Sequence, residues 1–182
     1  MNALADQVEQ GRIRAVGVSN YTAKQMRRAH AALAKRGIVL ASNQVQYSLL
    51  HRAPEQNGVL ATCRELDVRL IAYSPLAKGA LTGKYHNGEA VRGARKGVRF
   101  FRPAALQASA PLIALMAQIG AAHGDKTPAQ VALNWLIHQG TLPIPGAKNA
   151  SQATSNAGAL GWDLSDEEFE QISQAANKAL AG

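Results

Sequence analysis

Cysteine is nearly absent from this 182-residue chain. Cys63 stands alone, which excludes an internal disulfide framework and a cysteine-cluster metal site. Aromatic residues are scarce at 5%, so a core has to be built mostly from Ala, Leu, Val and Ile. No wholly apolar run reaches about 18 residues, and a membrane span is therefore not expected. The opening residues Met1-Asn2-Ala3-Leu4-Ala5-Asp6 show no basic region leading into an apolar stretch, so no signal peptide is read. A reducing compartment, the cytoplasm, fits this cysteine usage. No phosphate-binding fingerprint follows the first strand-like run. Gly17-Val18-Ser19-Asn20 is neither G-x-G-x-x-G nor a Walker A loop.

Against these absences, 47% of the residues are apolar and 18% are charged, a globular balance rather than a disordered one. The length is a little over one average domain of about 150 residues. The net charge of +8 is concentrated. Between Lys78 and Arg102 lie seven basic residues (Lys78, Lys84, Arg92, Arg95, Lys96, Arg99 and Arg102) and a single acid, Glu89. Glycines are interspersed through that stretch. A loop that meets an anion such as phosphate and a merely solvated loop both fit this pattern. A basic nucleic-acid binder fits poorly, because the charge is confined to one segment and no recognition motif accompanies it.

Four β-rich runs stand out: 13–18, 41–47, 69–73 and 142–145. Helical patterns separate them. One covers 3–9. A second covers 22–35, capped by Thr22 with Met26, Ala29 and Leu33 on one face. A third covers 54–66. A fourth covers 103–122, as one helix or as two with Pro111 in a new first turn. A fifth starts after Thr127-Pro128 and runs to His138. A last one opens at the capping box Ser165-x-x-Glu168 and runs to about Ala179. Regular alternation of strand and helix predicts an α/β fold with parallel strands and helical crossovers. An open doubly wound sheet and a (β/α) barrel both match it. Only four strands are offered, however, and an eight-stranded barrel takes roughly 250 residues, so a barrel reading covers part of one.

Each run ends in polar or small residues: Ser19-Asn20, Gln44 and Gln46, Tyr73-Ser74-Pro75, and Gly146-Ala147-Lys148. Ligands of parallel α/β folds gather at those strand ends. Asn20 and Gln44 can pair with a planar amide. Tyr73 can stack on an aromatic ring. Gly146 admits close backbone approach, and Lys148 offers a point charge to phosphate. Together these residues suit a dinucleotide. Singly, each has an ordinary alternative: Ser19-Asn20 as a helix cap, Gln44 as a satisfied core amide, Tyr73 as core, Lys148 as a solvated cation.

Six strings carry a resemblance. They are Gly11-Arg-Ile-Arg-Ala-Val-Gly-Val-Ser-Asn20, Asn43-Gln-Val-Gln-Tyr-Ser48, Leu70-Ile-Ala-Tyr-Ser-Pro-Leu-Ala77, Leu81-Thr-Gly-Lys-Tyr85, Thr127-Pro-Ala-Gln-Val-Ala-Leu-Asn-Trp135 and Ile144-Pro-Gly-Ala-Lys-Asn149. In this order they resemble the aldo-keto reductase family over essentially the whole chain, and bacterial and plastid-type members most. The resemblance implies the C-terminal half of a (β/α)₈ TIM barrel, with four parallel strands, helices and a C-terminal helix, as a single partial domain over 1–182. It implies reduction of a small-molecule carbonyl compound with NADP(H).

The family's catalytic Asp, Tyr, Lys and His have no match here. The chain alone is therefore expected to be inactive, and Tyr21, Tyr47, Tyr73 and Tyr85 are not promoted to catalytic acid. By the same resemblance, Ser19, Asn20 and Gln44 contact the nicotinamide carboxamide, and Tyr73 stacks on its ring. Ser74, Leu76 and Lys78 hold the pyrophosphate. Gly146 and Lys148 meet the adenosine 2′-phosphate. Gln152 and Asn156 face the adenine; Ser155 stands where many members carry Glu. The competing reading is a non-catalytic nucleotide-binding or regulatory half-barrel. No nucleic-acid or membrane partner is expected. Strands cut from a barrel would leave open edges, so a lone half-barrel is expected to be marginal, molten or paired with another copy through them. The compartment is cytoplasmic, or the plastid stroma in a photosynthetic eukaryote. Val16, Val45, Ile71 and Ile144 are expected on the inward strand faces.

Overall fold

A computed structural model describes residues 1–181; Gly182 lies outside the described residues. The expected α/β class is what is found, with four strands separated by helices. The chain forms two compact units. One comprises Met1–Tyr47 and Arg52–Tyr73, the other Ser48–His51 and the residues from Ser74 onward.

In the first unit, β1 (Val16–Ser19), β2 (Leu40–Gln46) and β3 (Arg69–Tyr73) are parallel neighbours. Ser19 pairs with Gln44, and Gln46 with Tyr73, so the strand ends fall in register. β1 and β2 approach closely at Gly17, where a Cβ would stand 2.4 Å from Ser42 Oγ. The helices are α1 (Asn2–Glu9), α2 (Ala23–Ala34), α3 (Ala53–Gln56) and α4 (Val59–Glu65). Thr22 and Gln25 form a reciprocal capping box at the start of α2. Met26, Ala29 and Leu33 are buried along one face of it, as the spacing predicts.

Two differences from the sequence reading exceed a shift of a residue or two at an element end. The first strand starts at Val16 and not at residue 13, because the Arg12 and Ile13 N–H groups both go to Gln7 O and close α1. The 54–66 helix is two helices. Gly58 sits at φ +81°, a left-handed residue that stops one helix and starts the next, and Asn57 Oδ1 accepts from the Val59 N–H.

The second unit contains α5 (Pro103–Ala122), α6 (Pro128–His138), β4 (Leu142–Ile144), α7 (Ala150–Ala157) and α8 (Asp166–Ala181). The basic stretch carries three short 3₁₀ segments, Ala77–Thr82, Gly93–Gly97 and Arg99–Phe101. α5 is one continuous helix through Pro111. The hydrogen bond that Pro111 cannot donate leaves the carbonyl of Gln107 open, and both residues are exposed, so solvent can take its place. α5 is also long and apolar enough to cross a membrane by length and composition, contrary to the count of apolar runs. It carries no charged residue, and Gln107, Ser109 and Gln118 interrupt it without lowering its mean hydropathy far. Its Leu112, Ile113, Met116 and Ile119 are buried, and it packs against α6 and α8. Of the residues expected to face inward, Val16 and Val45 are buried and Ile71 is half-buried, whereas Ile144 is 42% exposed.

The buried amide of Asn134 on α6 organises the segment before α8. Its Nδ2 donates to Ala159 O and Trp162 O, and its Oδ1 accepts from the Leu164 N–H. The Ser165–Glu168 capping box then opens α8 as predicted. Burial alone would push the Glu168 carboxyl up. The Ser165 N–H and the His123 ring, at 2.9 Å, outweigh it and hold the group below the usual carboxylate range. A folded-state value below the unfolded one stabilises the fold above the unfolded pKa, and this contribution is lost as pH falls through the folded one. Urea unfolding should therefore show the second unit weakening on acidification below about pH 4.5, with Glu168→Gln flattening that dependence. A Gln variant with the same acid dependence would show that the cap is not its source.

Candidate functional site

Residues expected at the site fall into one group in each unit. In the first unit, Ser19, Asn20, Gln44 and Tyr73 are joined at the strand ends. The Ser19 hydroxyl donates to Gln44 O at 3.0 Å, and the Asn20 N–H donates to the same carbonyl at 2.8 Å. The Tyr73 hydroxyl donates to Asn20 Oδ1 at 3.3 Å. Asn20 adopts φ +57°, a conformation that asparagine tolerates better than most residues. Ser19-Asn20 is not the cap of α2; Thr22 is. Tyr73 is half-buried rather than core.

Asn43, which the sequence reading passed over, supports this group. It is fully buried; its Nδ2 donates to Tyr21 O at 2.9 Å and its Oδ1 accepts from the Tyr21 N–H. The amide thus clamps the turn just after Asn20. Asparagine is disfavoured inside strands, and that misfit was the available signal.

In the second unit, Ser74, Leu76, Lys78, Gly146, Lys148, Gln152 and Asn156 all line one groove of about 1020 Å³. That is just above the roughly 300–1,000 Å³ typical of ligand pockets. The backbone that enters it is strained: Ser74, Ala77 and Lys78 have φ of +52°, +49° and +59°. Non-glycine residues held there cost about 1–2 kcal/mol each, and such strain tends to collect at ligand clamps. The turn is tied internally by Ala77 N–H to Ser74 O and Gly79 N–H to Leu76 O.

The basic stretch supplies further lining residues, Lys84, Arg92 and Arg95. With Lys78 and Lys148 these make five cations, and no acidic residue lines the groove. Arg95 Nε donates to Lys78 O at 3.2 Å, which fastens the stretch to the strained turn. Lys84 is paired with Glu89 at 2.8 Å, and this pairing raises its pKa. Among the other lining residues, the Lys148 N–H donates to Gln152 Oε1, the Gln152 N–H to Asn149 Oδ1, and Asn156 Nδ2 to Gly146 O. Asn149 is thus the N-cap of α7. Five positive charges line the groove and, among the described residues, only Lys84 has an acid paired with it, a balance that favours a polyanion.

Comparison with known proteins gives the following. The model of the family described as "Aldo/keto reductase family" matches residues 1–177. A chloroplastic pyridoxal reductase of Arabidopsis thaliana is 43% identical over 98% of this chain and 48% of its own length. "Aldo-keto reductase yakc [NADP(+)]" of Schizosaccharomyces pombe is 34% identical over 98% of this chain and 53% of its own length. The solved structure of a glycerol dehydrogenase from Gluconobacter oxydans superposes with a TM-score of 0.84 over 98% of this chain and 54% of that one; at 22% identity it shows a shared fold. The chain spans about half the length of the relatives that it matches.

Proposed function

Because this chain belongs to the aldo/keto reductase family, we propose that it supplies the cofactor-binding part of an NADPH-dependent reductase that converts aldehydes or ketones to alcohols. The observation that carries this reading is the second unit's groove, with its five cations and no acid. Bound NADPH would supply the hydride. Lys78, Arg92 and Arg95 would neutralise the pyrophosphate, Lys148 the adenosine 2′-phosphate, and Gln152 and Asn156 would read the adenine. In the first unit, Asn20 and Gln44 would present amides to a carboxamide and Tyr73 a face to a ring. The NADP(+) in the name of the Schizosaccharomyces pombe relative supports the choice of cofactor. The name of the Arabidopsis thaliana relative makes pyridoxal the aldehyde to test first, and the plastid stroma a compartment to consider beside the cytoplasm.

Lys148→Ala decides the cofactor. Loss of a charged hydrogen bond costs about 1.5–3 kcal/mol, so NADPH binding should weaken roughly 10- to 100-fold while NADH binding changes little. Cofactor-fluorescence titration reads both. Equal losses would remove Lys148 from the 2′-phosphate.

The second half of the proposal is that this chain by itself binds the cofactor without turning over substrate. A tyrosine acid needs a neighbouring cation to bring its pKa down. At Tyr47 the nearby Arg52 and Arg64 act in that direction but are outweighed. Tyr47 is buried, its hydroxyl donates to Glu55 at 2.8 Å, and burial followed by the Glu55 charge pushes it well above the usual tyrosine range. NADPH-dependent loss of pyridoxal that Tyr73→Ala abolishes would refute this half while leaving the cofactor assignment in place.

A further inference from the structure

Gln130 does two jobs with one amide. It is the third residue of α6, and its Oε1 accepts from the Thr127 N–H at 2.8 Å while its own N–H goes to Thr127 Oγ1. This is a capping box, and a capping box leaves the amide hydrogens unspent. Here Nε2 donates to Ser155 O, in α7, at 2.9 Å. Thr127 and Ala129 line the groove beside Gln130, and Ser155 and Asn156 line it on α7. The side chain therefore bridges two walls.

Gly158 carries a second, independent sign of the same contact. Its φ is −65°, which any residue can adopt. Yet a Cβ there would stand 2.2 Å from Gln130 Nε2 and 3.2 Å from its Cδ. The C-terminal end of α7 is shaped around the Gln130 amide.

We propose that Gln130 is a positioning residue of the groove: it holds α7 against the start of α6 so that Gln152 and Asn156 keep the spacing that a nucleoside end requires. The proposal rests on the reading that the groove takes NADP(H). Capping does not require glutamine, since glutamate serves equally well at this position. What glutamate cannot do is donate to Ser155 O.

Two variants of the full chain break the bridge from opposite sides. Gln130→Glu keeps the cap acceptor and turns a carboxylate oxygen toward the Ser155 carbonyl. Gly158→Ala displaces the flexible end of Gln130 at a φ that alanine adopts freely, and asks the Ser155 carbonyl oxygen, 3.3 Å from the new Cβ, to give by only a few tenths of an ångström. Amide hydrogen exchange should accelerate about 3- to 10-fold across Ala150–Ala157 in both, the effect of one neutral hydrogen bond, with the first amides of α6 unchanged in Gln130→Glu. Adenosine 2′,5′-bisphosphate should bind about 3- to 10-fold more weakly to both variants, while inorganic pyrophosphate changes less than about twofold.

Unchanged exchange in α7 together with unchanged bisphosphate binding would overturn the proposal. So would a Gln130→Glu variant that loses both probes equally beside a Gly158→Ala variant that loses neither, since the added charge would then be the cause. A parent chain that takes neither probe would refute the cofactor reading instead, and exchange in α7 would still decide whether Gln130 is the bridge.

Discussion

Trp135→Ala is expected to cost about 3–5 kcal/mol, enough to consume much of a net stability of roughly 5–15 kcal/mol. Trp135 is completely buried on α6. Its ring stacks on Phe169 of α8, 5.5 Å between centroids at 11°, and its Nε1–H donates to Ser173 Oγ at 2.9 Å. His138, one helical turn on, stacks on the same Phe169. Two losses are possible, and their sizes differ. The hydrogen bond is worth about 1 kcal/mol, and Ser173 keeps its bond to Phe169 O. The volume is worth more, because stacked rings and helix backbones cannot collapse into the space. Trp135→Phe should therefore cost only about 1–2 kcal/mol, losing the hydrogen bond and part of the ring. Urea unfolding of the three proteins measures the order. A Phe variant as damaged as the Ala variant would make the hydrogen bond dominant and the packing secondary. The consequence reaches function, since α6 carries Thr127 and Gln130 at its other end.

Gly120→Ala should destabilise the chain by about 2–3 kcal/mol, although helix propensity argues the other way. Alanine inside a helix is favoured over glycine by roughly 0.5–1 kcal/mol. At Gly120, however, a Cβ would meet the Lys126 carbonyl oxygen at 1.9 Å and its carbon at 2.9 Å. Both are backbone atoms, and they cannot swing aside. The loop is pinned there by the Lys126 N–H to Gly120 O bond at 2.8 Å. Overpacking of this kind costs about 1–3 kcal/mol or more, so the clash outweighs the propensity gain. A chain of this size loses roughly 2–4 °C per kcal/mol, so the melting midpoint should fall by about 4–12 °C. The sign is the test. A variant that melts higher than the parent would mean that the loop yields freely. The displaced loop ends at Thr127, so a loss of cofactor binding beyond the loss of stability is also expected.

The caps Thr22 and Thr127, the Ser165–Glu168 capping box, the apolar stripe Met26–Ala29–Leu33 and the bounds of β3 were all legible in the sequence. Each acts within a turn or two of the chain, so neighbouring residues suffice to specify it. Ser74, Gly146 and Lys148 were legible as strand-end residues, because parallel α/β folds place ligands at those ends, whereas Leu76, Lys78, Gln152 and Asn156 came only from the family resemblance; all seven line the groove. Three features were not legible. The left-handed residues Ser74, Ala77 and Lys78 oppose their own preferences, and the turn's hydrogen bonds, one of them from Arg95 17 positions away, hold them there. The polar Asn43 reads as a poor strand residue until the Tyr21 backbone 22 positions away bonds both ends of its amide. Gln130 reads as a cap, and only the folded chain brings Ser155, 25 residues on, to its unused hydrogens. Periodicity and caps are local energies, and the sequence by itself determined them. Bonds between distant residues exist only after the loop entropy between them has been overcome, and the tertiary structure alone decided which of these form.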